Sequence, residues 1–163
     1  MDLYIFRHGE AGKSLPTPQR DRGRSLTSQG REDVETAAES MRKLGLRFDR
    51  IISSPLPRAK ETAEIVAKTQ KKVKVEAWDE LRPEGDKSAL RSKLAALGHD
   101  PKVLIVGHEP FLTAFVATMT GTREGAILLK KGGLIRIRVT TFSPAAKGEL
   151  RWLLSPRILG HLA

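Results

Sequence analysis

Three short stretches carry residues able to act on an anion. Arg7-His8-Gly9 stands near the start of the chain, Arg58 follows Ser53-Ser54-Pro55, and Gly107-His108-Glu109 comes later. Arginine presents a planar fork of donors that matches phosphate oxygens. A neutral imidazole is a nucleophile for phosphorus, and a second, protonated one can stabilise charge on the equatorial oxygens in the transition state. His8 as nucleophile, with Arg7, Arg58 and His108 as a clamp, is a complete phosphoryl-transfer set. It needs no metal and no cofactor, and its intermediate is a phosphohistidine later hydrolysed by water. Taken singly, each residue has a plainer reading. His8 would be a loop histidine, and His108 a helix cap or a satisfied core histidine. Arg58 would be a solvated arginine in a first helical turn, at odds with the helix dipole, which itself argues for an anion partner. His99 and His161 read as surface residues, with no partner pattern around them.

Those residues converge only if the elements bearing them do. Asp2 to Phe6 is a short β-prone run ending at Arg7-His8-Gly9, and a polar loop without period extends from Glu10 to Arg24. Ser28 to Leu44 has the helical recurrence of Val34, Ala37, Ala38 and Met41, with Gly45 as its stop. Asp49–Ser53 reads as a buried strand, Pro57–Thr69 as a helix with proline in its first turn, and Val73–Trp78 as a strand. Asp86–Leu97 is a third helix, Lys102–Val106 another buried strand, and Pro110–Thr120 a fourth helix. Leu134–Thr140 and Glu149–Leu154 are late strands joined through Ser143-Pro144. Alternation of this kind predicts a three-layer α/β/α sandwich with a mostly parallel central sheet, in one domain over residues 1–163. Ligands in such sheets gather at the carboxyl ends of the strands, where Arg7, His8, Arg58 and His108 all emerge. The N-termini of the helices beginning near Arg58 and Glu109 add backbone donors there.

Composition excludes several alternatives. The 163 residues contain no cysteine, so disulfides, thiolate catalysis and Cys-ligated metals are out. No apolar run approaches the roughly 18 residues of a membrane span, and Met1-Asp2-Leu3-Tyr4 has no signal-peptide character, so a cytoplasmic protein without membrane partners is expected. The net charge is +10, and the last 63 residues hold 9 Lys/Arg against 3 Asp/Glu. That basicity suits an anionic partner. The Lys71-Lys72-x-Lys74 and Lys130-Lys131 clusters lack interleaved aromatic residues, so they read as solvated faces and not as a nucleic-acid platform. Gly132-Gly133 reads as a turn. There is no Walker motif, no GxGxxG and no metal-ligand spacing.

Arg7-His8-Gly9 after an N-terminal strand, Ser53-Ser54-Pro55-x-x-Arg58-Ala59-x-x-Thr62-Ala63, and Val106-Gly107-His108, in that order, resemble the histidine phosphatase superfamily. That family has the phosphoglycerate-mutase-like fold. The short length and Asp21-x-x-Arg24-x-Leu26-Thr27-x-x-Gly30 resemble its SixA-type phosphohistidine phosphatases. The resemblance implies that His8 is phosphorylated in turnover and that Arg7, Arg58 and His108 bind phosphate. One stretch departs from the pattern. Many members carry a general-acid glutamate in a Leu-x-Glu stretch after the third strand, and here Leu81-Arg82-Pro83-Glu84 puts proline at that place. Asp21 and Glu84 remain as candidate proton donors or positioning groups. Lacking the acid handicaps P–O esters, whose alkoxide needs a proton to leave. It matters less for a P–N bond to imidazole, whose pKa near about 6.5 makes it a good leaving group once protonated. The expected activity is removal of phosphate from phosphohistidine on a phosphorelay protein, by a monomer. The alternatives are a broad small-molecule phosphomonoesterase and a non-catalytic module binding phosphate or nucleic acid.

Overall fold

The computed structural model describes residues 1–70 and 73–163; the Lys71-Lys72 pair of the first basic cluster lies outside the described residues. Strand β1 (Asp2–Arg7) is followed by a short helix α1 (Pro18–Arg22) and by α2 (Ser28–Lys43). Next come β2 (Arg50–Ser53), α3 (Pro57–Lys68), β3 (Val75–Ala77), a 3₁₀ turn (Asp79–Leu81) and α4 (Lys87–Ala95). The chain continues through β4 (Lys102–Gly107), α5 (Phe111–Thr120), β5 (Leu134–Thr141), β6 (Lys147–Leu154) and α6 (Pro156–Leu162). Among the described residues these strands form one sheet in the order β3-β2-β4-β1-β5-β6. The first four strands in that order are parallel, β5 runs against β1, and β6 against β5. No helix among the described residues is long and apolar enough to cross a membrane.

The strand sequences explain the three layers. Leu3 and Ile5 of β1, with Val103 and Ile105 of β4, pack on α4 and α5 through Leu90, Leu94, Leu112 and Phe115. Tyr4 and Phe6, with Leu104 and Val106, pack on α2 and α3 through Val34, Met41, Ala63 and Val66. Side chains alternate between the faces of a strand. A slip of one residue would exchange the two apolar sets, so register is tightly specified. The chain leaves β1 toward β2 on one side and leaves β4 toward β5 on the other. The crevice between β1 and β4 is therefore the switch point at which such sheets accept ligands.

Two elements go beyond the sequence reading. The expected irregular loop from Glu10 to Arg24 contains α1, which starts at Pro18 under the side chain of Thr17, a cap accepting the Arg20 N–H at 3.4 Å. None of its residues is buried, so the helix has no apolar period to reveal it. Helix α6 follows Ser155, whose hydroxyl accepts the Ile158 N–H at 3.3 Å, and it buries Leu159 against the α2 layer. With a single buried apolar residue, the helix has no periodicity to mark it in the sequence.

Candidate active site

Strand β1 ends by delivering Arg7 and His8 into the crevice. The backbone there is pinned on both sides. The His8 N–H donates to the Gly107 carbonyl at 3.1 Å, and the Arg7 N–H to the Gly133 carbonyl at 3.1 Å. The Gly9 N–H donates to the Thr62 hydroxyl at 3.1 Å, and that hydroxyl donates to the Arg58 carbonyl at 2.7 Å, tying the segment after His8 to α3. Gly9 must be glycine, since a Cβ there would lie 2.6 Å from Val34 Cγ2. Gly30 must be too, since its Cβ would lie 2.1 Å from the Glu10 carbonyl oxygen. The first turn of α2 thus packs directly against the backbone just beyond His8.

Arg7, His8, Asp21, Arg58 and His108, brought from β1, α1, α3 and the end of β4, line one cavity of about 380 Å³. The His8 and His108 rings lie 5.0 Å apart between centroids. His8 Nδ1 lies 2.7 Å from the Gly9 carbonyl. A carbonyl only accepts, so Nδ1 carries the hydrogen and Nε2 keeps the lone pair. Burial pushes the His8 imidazole down to about 4, and the charges of Arg58, Arg7 and Lys131 act in the same direction against the Gly9 hydrogen bond. The ring is neutral and nucleophilic near neutral pH. His108 is also held far below its ordinary value, first by burial, then by His8 and the arginines. Its Nε2 lies 2.9 Å from the Ser54 hydroxyl, which already accepts the Leu56 N–H. If that hydroxyl donates to Nε2, Nδ1 bears the hydrogen.

Three buried side-chain nitrogens meet no protein acceptor among the described residues: Nε of Arg7 and of Arg58, and Nδ1 of His108; Arg24 Nε, by contrast, lies 2.8 Å from the Asp21 carboxylate. All three belong to residues of this cavity. An unmet buried donor costs about 1–3 kcal/mol, so natural structures rarely keep one without an acceptor from water or a ligand nearby. Three in one cavity fit an oxyanion. One terminal nitrogen of each of these arginines is fixed by backbone: Arg7 Nη1 donates to the Leu129 carbonyl at 2.9 Å, and Arg58 Nη1 to the Asp21 carbonyl at 3.0 Å. The forks are held before any ligand arrives.

The two candidate proton donors separate here. Asp21 lines the cavity, but a hydrogen bond from Arg24, then one from the Leu15 N–H, holds its carboxyl below the usual range. That suits positioning of Arg24 and Arg58 more than proton donation. Glu84 does not line the cavity. It pairs with Arg22 at 2.9 Å on the surface and lines an adjoining groove. Pro83 stands at the cavity wall, so the place of the family's acid presents an apolar ring. Glu80 is turned away to Lys93, 2.8 Å distant.

Several residues of the site escaped the sequence reading. Lys131, read as part of a solvated basic pair, lines the cavity and pairs with Glu10 at 2.8 Å. It gets there because Gly132, at φ +72°, turns the chain so that its N–H donates to the Arg7 carbonyl at 3.0 Å. The contact spans most of the chain, and no local pattern encodes it. Glu109 also lines the cavity, its carboxylate accepting from the N–H and the hydroxyl of Thr113.

Comparison with known proteins agrees with this geometry. Residues 3–83 match the family described as the histidine phosphatase superfamily (branch 1). The chain is 34% identical over 164 residues to an uncharacterised protein of Picosynechococcus sp., covering 98% of this chain and 99% of the relative. It is 26% identical over 159 residues to phosphohistidine phosphatase SixA of Escherichia coli, covering 96% and 94%. Among solved structures it is similar to the protein histidine phosphatase SixA complexed with tungstate, with a TM-score of 0.85, 26% identity, and 98% and 99% of the two chains covered.

Proposed function

The chain belongs to the histidine phosphatase superfamily and is a phosphatase, and from that premise we propose that it hydrolyses phosphohistidine on a signalling protein through a covalent phosphohistidine at His8. The observation that carries this reading is the set of unpartnered buried nitrogens around a histidine whose Nδ1–H is committed to Gly9. Arg7 and Arg58 grip the phosphoryl oxygens bidentately, and Arg24 adds its charge. The dianion raises the proton affinity of the neighbouring imidazole, so His108 enters the reaction as a donor to an equatorial oxygen.

His8 Nε2 attacks phosphorus while the P–N bond to the substrate imidazole breaks. That imidazole already carries a solvent-derived proton on its ring nitrogen remote from phosphorus, so it leaves neutral. Water then attacks the phosphoryl group on His8. The N–P bond breaks, the ring leaves neutral, and inorganic phosphate departs with the oxygen and the protons of water. No step requires a protein acid beside the leaving group, which matches Pro83 at the cavity wall. An alkyl ester would need that acid.

The test is His8→Ala, with a histidine-phosphorylated protein and an aryl phosphate as substrates. We expect loss of about 10³-fold or more in kcat for both, and disappearance of an acid-labile, alkali-stable phosphoenzyme formed by the wild type. Retention of wild-type rates would overturn the mechanism. One observation favours a second reading, a small-molecule phosphomonoesterase: Glu109 is a carboxylate at the cavity. Strong turnover of alkyl phosphates that Glu109→Gln abolishes would support it.

A further inference from the structure

The phosphate cavity does not end at Pro83. Pro83 is also a wall of a groove of about 330 Å³ on the outer side, which runs along the start of α5 beside Pro110, Phe111 and Ala114. The groove's charges are satisfied by salt bridges: Glu84 by Arg22 at 2.9 Å, and Lys87 by Glu124 at 2.9 Å. A groove with an apolar side and paired charges thus adjoins a strongly cationic cup across Pro83.

Two exposed leucines stand on the segments that border that cup. Leu128 is 75% exposed, the most exposed large apolar side chain among the described residues. It precedes Leu129, whose carbonyl holds Arg7 Nη1, and Lys131 of the cavity wall lies just beyond. Leu15 is 43% exposed and adjoins Ser14, another cavity residue, while its own N–H donates to Asp21 at 3.0 Å. A single exposed leucine is ordinary. Apolar side chains and an apolar groove gathered around the mouth of a charged cavity are the usual mark of a macromolecular contact.

The geometry points to a polypeptide docking surface formed by Leu15, Leu128 and the Pro83–Pro110–Phe111–Ala114 groove, which takes the chain flanking the phosphorylated residue of a protein substrate. The division of charge selects this occupant. A nucleotide or a sugar bisphosphate brings a second anion or many hydroxyls past the cup, and the described residues of the groove offer them no free cation, Lys87 being held by Glu124. A polypeptide brings one phosphoryl group for the arginines, and apolar and backbone surface for the rest. The proposal rests on the phosphohistidine reading above, whose substrate it extends from the reacting bond to the chain that presents it.

The test compares one chemistry in two settings: free N-phosphohistidine, and a small protein phosphorylated on histidine with phosphoramidate. Leu128→Asp, at a solvent-exposed site that spares the fold, and Ala114→Glu, within the groove, are assayed against both. Each variant should lose about tenfold or more in kcat/KM for the phosphoprotein, mostly through KM, as expected for central contacts of an interface. Each should stay within about twofold of wild type on free phosphohistidine, because neither residue touches the phosphoryl cavity. Equal losses on both substrates, or no loss on either, would overturn the docking surface alone. Wild type that hydrolyses neither phosphohistidine form while cleaving an aryl phosphate overturns the phosphohistidine reading and the docking surface with it.

Discussion

At the scale of single residues, the site is a study in how little freedom its cations keep. Arg7, Arg58 and Arg24 each spend a terminal N–H on a backbone carbonyl. Lys131 differs. Its partner Glu10 is held independently by the Ala11 and Gly12 N–H groups at 3.0 and 2.8 Å. Glu10 therefore keeps its place without the lysine, whose flexible stem can carry the ammonium to a bound oxyanion. Lys131→Met should raise the inhibition constant for tungstate about tenfold, as loss of one charge-assisted contact implies. Lys131→Arg should restore much of it, and Glu10→Gln should leave it unchanged or lower it. If Glu10→Gln weakens tungstate as much as Lys131→Met does, the lysine acts only as a brace for Glu10.

At the scale of elements, the decisive contact is α2 against the segment after β1. The backbone of Glu10 passes so close to Gly30 that no side chain fits between them. The Glu10 carbonyl also accepts the Thr27 N–H at 3.0 Å. Gly30→Ala should destabilise the protein by about 1–3 kcal/mol, read as a lower denaturation midpoint. It should also cut kcat on any phosphate substrate, because the strain is relieved by moving the loop that aims His8. An unchanged midpoint would mean that α2 can shift without disturbing β1. The sequence made this geometry half legible. Arg7, His8, Arg58 and His108 could be placed at one sheet edge because short unbroken apolar runs marked the strands, and the end of a strand fixes where its next residues emerge. Thr27 and Gly30 stood out as a pattern, but their reason, a backbone-to-backbone approach, is a tertiary fact. Lys131 and Glu84 mark the boundary. One is drawn into the cavity by a glycine turn stitched to a distant strand, the other out of it by Arg22 on a helix too short and polar to be recognised. Local pattern encodes neither pairing.

At the scale of the whole molecule, the site is a standing cost on stability that pH should reveal. His8 and His108 both have native proton affinities depressed below that of an unfolded histidine, His8 to about 4, because burial beside cations disfavours imidazolium. Between about pH 6.5 and 4 the unfolded chain therefore binds protons at these residues that the native state refuses. Stability should be fully present above about pH 6.5 and fall as pH drops toward 4, with a slope of at most about 1.4 kcal/mol per pH unit for each histidine. A dianion reverses the sign locally. Sulfate seated among Arg7, Arg58 and His108 favours the protonated ring, so its binding takes up protons and strengthens as the solution becomes more acidic. Thermal unfolding monitored at pH 7.5 and pH 5, with and without sulfate, should give a larger rise in Tm from the salt at pH 5. General salting-out stabilises at both pH values, and Arg58→Ala serves as the control that keeps only that part. The His8→Ala, His108→Ala double variant should flatten the decline between pH 6.5 and 5. If wild type and the double variant lose stability in parallel over that range, the acid sensitivity arises elsewhere in this +10 chain, and the two imidazoles are not held neutral by the cavity that surrounds them.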